Sequence, residues 1–372
     1  MLTAVEGIDV LPLDLPAWRR ETVPGHGPGL VLDVDGEALW FASRDVALTP
    51  GPEAASCLLA YPCMLKEQPL RYTSEVPGAA FLGNLDGATA LMGSWWGHRP
   101  LRCELPASGP ASGTPPGPEQ PGRTALFFSG GIDSFYSLTH NPAISLLVFV
   151  HGFDVRLDSA DTAAAMSAAF RRIAAGRGIS SITITTNLRD HPVLGRLRWP
   201  RYHGAVLAAA AHLLRESASQ FIVSSSYPRE NLMPWGSHPD LDWRWGDERV
   251  RMIHFGLETS RAGKLRAMRD EPLVHRELRV CYPGARADGN CGYCEKCVRT
   301  RLTYRLALPG VECTAIPDAP PLAPALDALR PLWPQTLLQD YRQLLELALT
   351  EDDVTRSLRA LIGRSEAHQA SP

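Results

Sequence analysis

The sequence predicts an α/β fold: a doubly wound parallel sheet carrying a cysteine knuckle, behind a small strand-containing N-terminal domain. Three features carry that prediction. Short continuous apolar runs alternate with helix-spaced apolar stripes, a glycine-rich turn closes the first of these runs, and a proline-rich break precedes it. A strand covered on both faces is apolar throughout, whereas a half-exposed strand alternates, so unbroken runs point to a buried parallel sheet.

In chain order, Met1 to Asp9 holds two acids and no apolar core, so no secretory leader is expected. Residues 29–34 and 38–41 are apolar runs joined by Asp35-Gly36, a hairpin signal, and a helix is expected near residues 53–59. Gly93-Ser94-Trp95-Trp96-Gly97 suggests a strand end or an aromatic patch. Residues 1–105 are therefore expected to form an accessory domain, free to meet a protein partner or a second copy of the chain. Residues 106–122 hold six prolines and four glycines with little to bury, the composition of a linker.

Beyond it, residues 124–128, 144–150, 181–185 and 221–223 are short apolar runs. Met166, Phe170 and Ile173 form one helical stripe between them, and Val206, Leu207, Ala210, Leu213 and Leu214 form another. Residues 123–316 make the main domain. The tail, 317–372, is expected to be helical around residues 336–349 and 352–361.

At 372 residues, 45% apolar and 21% charged, the chain is long enough for about two cores and too apolar for a disordered one. A net charge of −3 provides no general field for a phosphate backbone, so nucleic-acid binding is disfavoured. The apolar stretch 205–214 is interrupted by His212 and falls far short of the roughly 20 residues a bilayer needs, so no membrane partner is expected. Of eight cysteines, four crowd into residues 281–297, which suits a metal site in a reducing, cytoplasmic setting better than a disulfide framework.

Directly after the first main-domain strand comes Ser129-Gly130-Gly131-Ile132-Asp133-Ser134, leading into a helix that ends before Pro142. Paired glycines allow a tight turn whose amides face one point, and the helix adds its positive end; together they make an anion cradle. Ser129 and Ser134 offer hydroxyls, and Asp133 in the first turn is expected to hold Mg²⁺. No G-x-x-x-x-G-K-[ST] string is present, which shifts the expected chemistry from the γ- to the α-phosphate. The string Ser-Gly-Gly-Ile-Asp-Ser resembles the PP-loop of the ATP pyrophosphatase superfamily. That likeness implies an ATP-binding, HUP-like sheet and an enzyme that adenylates a substrate oxygen and releases pyrophosphate.

Cys281, Cys291, Cys294 and Cys297 follow a C-x9-C-x2-C-x2-C spacing, in which a knuckle turn points sulfurs to one side and a distant thiolate completes a tetrahedron. Zn²⁺ is the favoured ion, and an iron–sulfur cluster is the alternative. Arg279, Arg286, Lys296, Arg299 and Arg301 are near enough in sequence to offset the thiolate charge. The order of the two motifs, with Cys281-Tyr282 ahead of Cys291-Gly292-Tyr293-Cys294 and Cys297, is similar to the 7-cyano-7-deazaguanine synthases. The likeness covers about residues 123–305. Those enzymes carry an acid after a Tyr-Pro pair to read their base, but this chain has Tyr227-Pro228-Arg229, so a purine-like substrate does not follow.

Strand ends supply the remaining candidates, since open α/β sheets bind ligands there. They are Ser224-Ser225-Ser226-Tyr227, Thr186-Asn187, and His151-Gly152-Phe153-Asp154. The resemblance implies that His151 and Phe153, with Asn187 nearby, flank an adenine. The Pro-, Trp- and Gly-punctuated stretch 232–239 suits an active-site loop as well as a surface loop pinned by Trp235. Arg261 and Lys264 resemble a basic pair with which related enzymes open a helix, and could neutralise departing pyrophosphate. The expected function is an AMP-forming ligation of a small molecule, using ATP, Mg²⁺ and Zn²⁺, with a nitrogen nucleophile displacing AMP. Adenylation-coupled sulfur transfer and a non-catalytic nucleotide-responsive protein are the alternatives.

Overall fold

The structure, a computed structural model, describes residues 14–107, 122–281, 289–333 and 335–370. The N-terminal residues 1–9, most of the expected linker, and Tyr282, Pro283, Gly284 and Arg286 lie outside them.

The strands are β1 (Arg19–Val23), β2 (Gly27–Val34), β3 (Glu37–Ala42), β4 (Leu70–Arg71), β5 (Cys103–Glu104), β6 (Thr124–Phe127), β7 (Ile144–His151), β8 (Ser180–Thr186), β9 (Gln220–Ser224) and β10 (Arg251–Phe255). Eight of them form one mixed sheet in the order β1-β2-β3-β8-β7-β6-β9-β10, and β4 and β5 make a separate parallel pair. From β8 to β10 every pairing is parallel, with Phe127 opposite Val148 and Leu126 opposite Ile222. Chain direction along the sheet reverses between β6 and β9, which opens a crevice at their carboxyl ends.

The helices are α1 (Pro52–Lys66), α2 (Ala79–Trp96), α3 (Ile132–His140), α4 (Ala160–Gly176), α5 (Trp199–Leu213), α6 (Pro239–Asp242), α7 (Arg261–Ala267), α8 (Pro272–Glu277), α9 (Glu295–Ala307), α10 (Leu322–Asp327), α11 (Gln335–Glu346) and α12 (Asp353–Ala370). Side chains of β6 alternate between two cores, as strand geometry requires. Ala125 and Phe127 join Leu58, Phe81 and Val206 from α1, α2 and α5, whereas Leu126 and Phe128 join Phe135 and Phe170 from α3 and α4.

The expected separate N-terminal domain is corrected by this topology. Strands β1–β3 extend the main sheet, with Phe41 of β3 opposite Thr186 of β8, and α1 and α2 share a core with α5. Helix α1 is buried at twelve consecutive positions from Glu53 to Met64, so it belongs inside the molecule and not on a satellite. Gly93 to Trp96 is the last turn of α2, ended by Gly97 in the left-handed conformation, and not a strand. The tail forms α10–α12 around a third core that includes Val298 and Leu302 of α9. Among the described residues, no helix is long and apolar enough to cross a membrane.

Candidate functional site

At the carboxyl ends of β6, β7, β9 and β10 lies a cleft with two chambers. The first has a cavity volume of about 220 Å³, and its walls include Phe149, Phe153, Met166, Val223, Trp235 and His254. The second has a cavity volume of about 200 Å³, and its walls include Gly131, Arg261, Arg279, Lys296 and Thr300. Ser129, Asp133, Asp154 and Ser226 border both. One chamber is largely apolar and the other is cationic, and the Ser129 turn divides them.

The turn is built locally. Gly130 has φ of +74°, a left-handed value that ordinary side chains resist, and a Cβ there would lie 3.0 Å from Phe170. Its carbonyl accepts the Arg279 amide at 2.8 Å. Gly131 caps α3, and Ser134 Oγ donates to the Gly131 carbonyl at 3.0 Å beside Ser129 Oγ at 3.3 Å. Ile132 reaches the cationic chamber, while its side chain is buried in the α3–α4 core.

Asp133, the expected Mg²⁺ ligand, faces two cationic side chains. Arg261 Nη2 donates to its Oδ2 at 2.7 Å and Lys264 Nζ to its Oδ1 at 2.9 Å, so both oxygens are engaged. Burial raises its proton affinity, but the two cations outweigh burial and hold the carboxyl down at about 2. The basic pair also divides its work. Arg261 lines the cationic chamber, and its Nε is buried without a hydrogen-bond partner. Lys264, 1% exposed, donates to the Ser225 carbonyl at 2.5 Å and is absent from both walls, and it ties α7 and the β9 loop to the turn.

Two further candidates lie outside both chambers. Asn187 accepts from the Trp40 amide at 2.9 Å and donates to the Ala38 carbonyl at 2.8 Å, stitching the end of β8 to β3. His151 contacts the Arg156 carbonyl through Nε2 at 3.0 Å and stacks on Phe149; neither chamber includes it. Phe153 and the Ser224–Tyr227 stretch do line the cleft.

The 232–239 loop reaches the cleft because two glycines meet. A Cβ on Gly204 of α5 would fall 2.0 Å from the Gly236 carbonyl, and the Gly236 amide donates to Pro200 at 2.6 Å. This close approach sets Trp235, Ser237 and His238 against the apolar chamber beside His203. His254, near the end of β10, completes that wall. Its Nδ1 is 2.7 Å from Asp242 Oδ2, and Ser237 Oγ donates to the same oxygen at 2.7 Å. Sequence reasoning missed His203, Asp242 and His254 as site residues. The signal for His254 was Met252-Ile253, a short apolar pair after Val250 that belongs to a fifth parallel strand and hence another ligand-facing end.

Cys281, Cys291, Cys294 and Cys297 converge, with all four sulfurs within 4.8 Å of one another. Cys291 Sγ and Cys297 Sγ lie 3.9 Å apart, close to the roughly 3.8 Å edge of a tetrahedron with metal–sulfur bonds of about 2.3 Å. The Cys294 amide donates to Cys291 Sγ at 3.3 Å, and hydrogen bonding from Cys297 holds the Cys294 thiol below its ordinary range. The cluster could therefore hold a metal ion. Arg299 instead pairs with Asp340 and Glu295, and Arg301 donates to the Gly292 carbonyl at 3.0 Å. Arg279 and Lys296 face the cationic chamber from either end of the knuckle. Protein-family models, curated proteins and solved structures give no match to this chain.

Proposed function

We propose that the cleft binds ATP and that the protein is an AMP-forming enzyme of the PP-loop type, with Zn²⁺ held by the four cysteines. The observation that carries this reading is the continuity of an apolar chamber with a cationic one across a glycine turn. A nucleoside polyphosphate has that same division: a planar apolar base at one end and a concentrated anion at the other. The apolar chamber receives the nucleoside. The Ser129–Gly131 turn receives phosphate oxygens on amides and hydroxyls, and Arg261, Arg279 and Lys296 neutralise the departing pyrophosphate.

In the reaction, a carboxylate or amide oxygen attacks the α-phosphorus, and the α–β bridging oxygen leaves with pyrophosphate. A nitrogen nucleophile then displaces AMP. Mg²⁺ enters with the nucleotide, since the Asp133 oxygens are occupied by Arg261 and Lys264. Catalysis comes from alignment and charge stabilisation. Zinc closes the knuckle from which Arg279 and Lys296 extend. Among the described residues no cysteine lines either chamber, which favours nitrogen transfer over sulfur transfer.

Titration calorimetry with MgATP tests the reading, followed by chromatography of the nucleotide product. The parent chain is expected to bind and to yield AMP on turnover, and Arg261→Ala to bind about 30-fold more weakly, as loss of one charge-assisted contact predicts. Absence of ATP uptake, or ADP as the product, rules it out.

A further inference from the structure

A nucleoside in the apolar chamber would use the rings and aliphatic groups of its wall but not the hydrogen bonding of the imidazoles, and that chemistry is specific. Asp242 is 1% exposed, and its carboxylate is satisfied by three donors: His254 Nδ1, Ser237 Oγ, and the His238 amide at 3.1 Å. An ionised carboxylate can only accept, so the 2.7 Å contact fixes the proton on His254 Nδ1. The lone pair is then on Nε2. The His254 side chain is 6% exposed and lines the chamber, and Nε2 is buried with no hydrogen-bond partner. A buried, oriented, unpartnered base on a cleft wall is costly to keep unless a ligand supplies the missing donor.

We infer that His254 is the catalytic base of the cleft, taking a proton from a neutral nitrogen nucleophile. The inference rests on the AMP-forming reading. The nitrogen lone pair forms the C–N bond, and the C–O bond to AMP breaks with its electron pair leaving on the phosphate oxygen. The surplus nitrogen proton moves to His254 Nε2 and from there to water. Asp242 stays ionised and stabilises the imidazolium, a positioning residue for His254. The other titratable groups on this wall are His203 from α5 and His238 from the loop ahead of α6, with Asp154 across from His203. His203 Nδ1 is engaged by the Trp199 carbonyl, and His238 Nδ1 accepts the Asp240 amide.

The test uses the full chain, labelled with ¹⁵N at histidine, and long-range nitrogen–proton correlation spectra. The expected result is a His254 tautomer protonated at Nδ1 and bare at Nε2, and a loss of that preference in Asp242→Asn. In parallel, AMP release is followed with MgATP, ammonium, and the small-molecule fraction of a cell extract as the source of acceptor. His254→Gln is expected, at MgATP concentrations that saturate it, to slow AMP release about 100-fold and to lose the rise of rate with pH that the parent shows. A His254 proton resident on Nε2, or His254→Gln turnover at the parental rate with the parental pH profile, overturns the inference. Failure of the parent to bind MgATP instead removes the nucleotide reading, and calorimetry alone reports that outcome.

Discussion

The two ends of the cleft are built in opposite ways. The cationic end starts from six consecutive residues, Ser129 to Ser134, whose two serine hydroxyls meet because the chain turns on Gly130 and Gly131. The imidazole end is assembled from α5, the loop ahead of α6, α6 itself and β10, and no two of His203, Asp242 and His254 are neighbours in sequence. Local construction makes a site rigid through its own backbone. Distributed construction makes it depend on packing, here on the contact between Gly204 and Gly236.

The largest effect should come from metal removal, because it tests whether the cationic end is as local as its turn suggests. Arg279 lies two residues ahead of Cys281, and Lys296 one ahead of Cys297. Loss of both cations from the chamber corresponds to about 4 kcal/mol, or roughly 1000-fold in MgATP affinity. Calorimetry on chelator-treated protein, with metal content measured by mass spectrometry, should show that drop. Unchanged affinity after complete metal loss would separate the chamber from the knuckle.

Next, Lys264→Met should cost about 3 kcal/mol in urea unfolding, since it removes a buried cation that holds Asp133 and the Ser225 carbonyl together. A loss below about 1 kcal/mol would mean that Arg261 alone fixes the turn. Acid should produce a smaller change. Asp133 is held at about 2, below its ordinary 3.8, so its ion pairs stabilise the fold fully above the unfolded value, and that contribution is lost as pH falls from about 4 through 2. The loss should be about 2 kcal/mol, and Asp133→Asn should flatten that part of the stability curve. The smallest effect is expected for Gly130→Ala, about 1.5 kcal/mol from its positive φ and the 3.0 Å approach to Phe170, measured by thermal unfolding.

Much of the sheet was legible because buried strands announce themselves by composition alone. The runs that became β6, β7, β8 and β9 needed no partner to be recognised, and the stripes of α4 and α5 followed from spacing. The attachment of β3 to β8 was not legible: strand pairing across more than 140 positions is settled by which edge is free and by what α1 and α2 can cover. At the site, the Ser129 turn and the cysteine spacing were visible because each motif carries its chemistry within a few residues. The partners of Lys264 and Asn187 were not legible for the same reason in reverse, since a polar residue at a strand end or helix start shows its type and hides its partner.

The sequence by itself determined which segments turn, which are buried, and which four thiols can meet, because backbone conformation and side-chain type act over a few residues. Only the tertiary structure decided that the N-terminal strands complete the main sheet, that Asp133 faces cations, and that Asp242 stands behind His254. Those relations depend on distances between segments remote in the chain, and such distances exist only once the cores have packed.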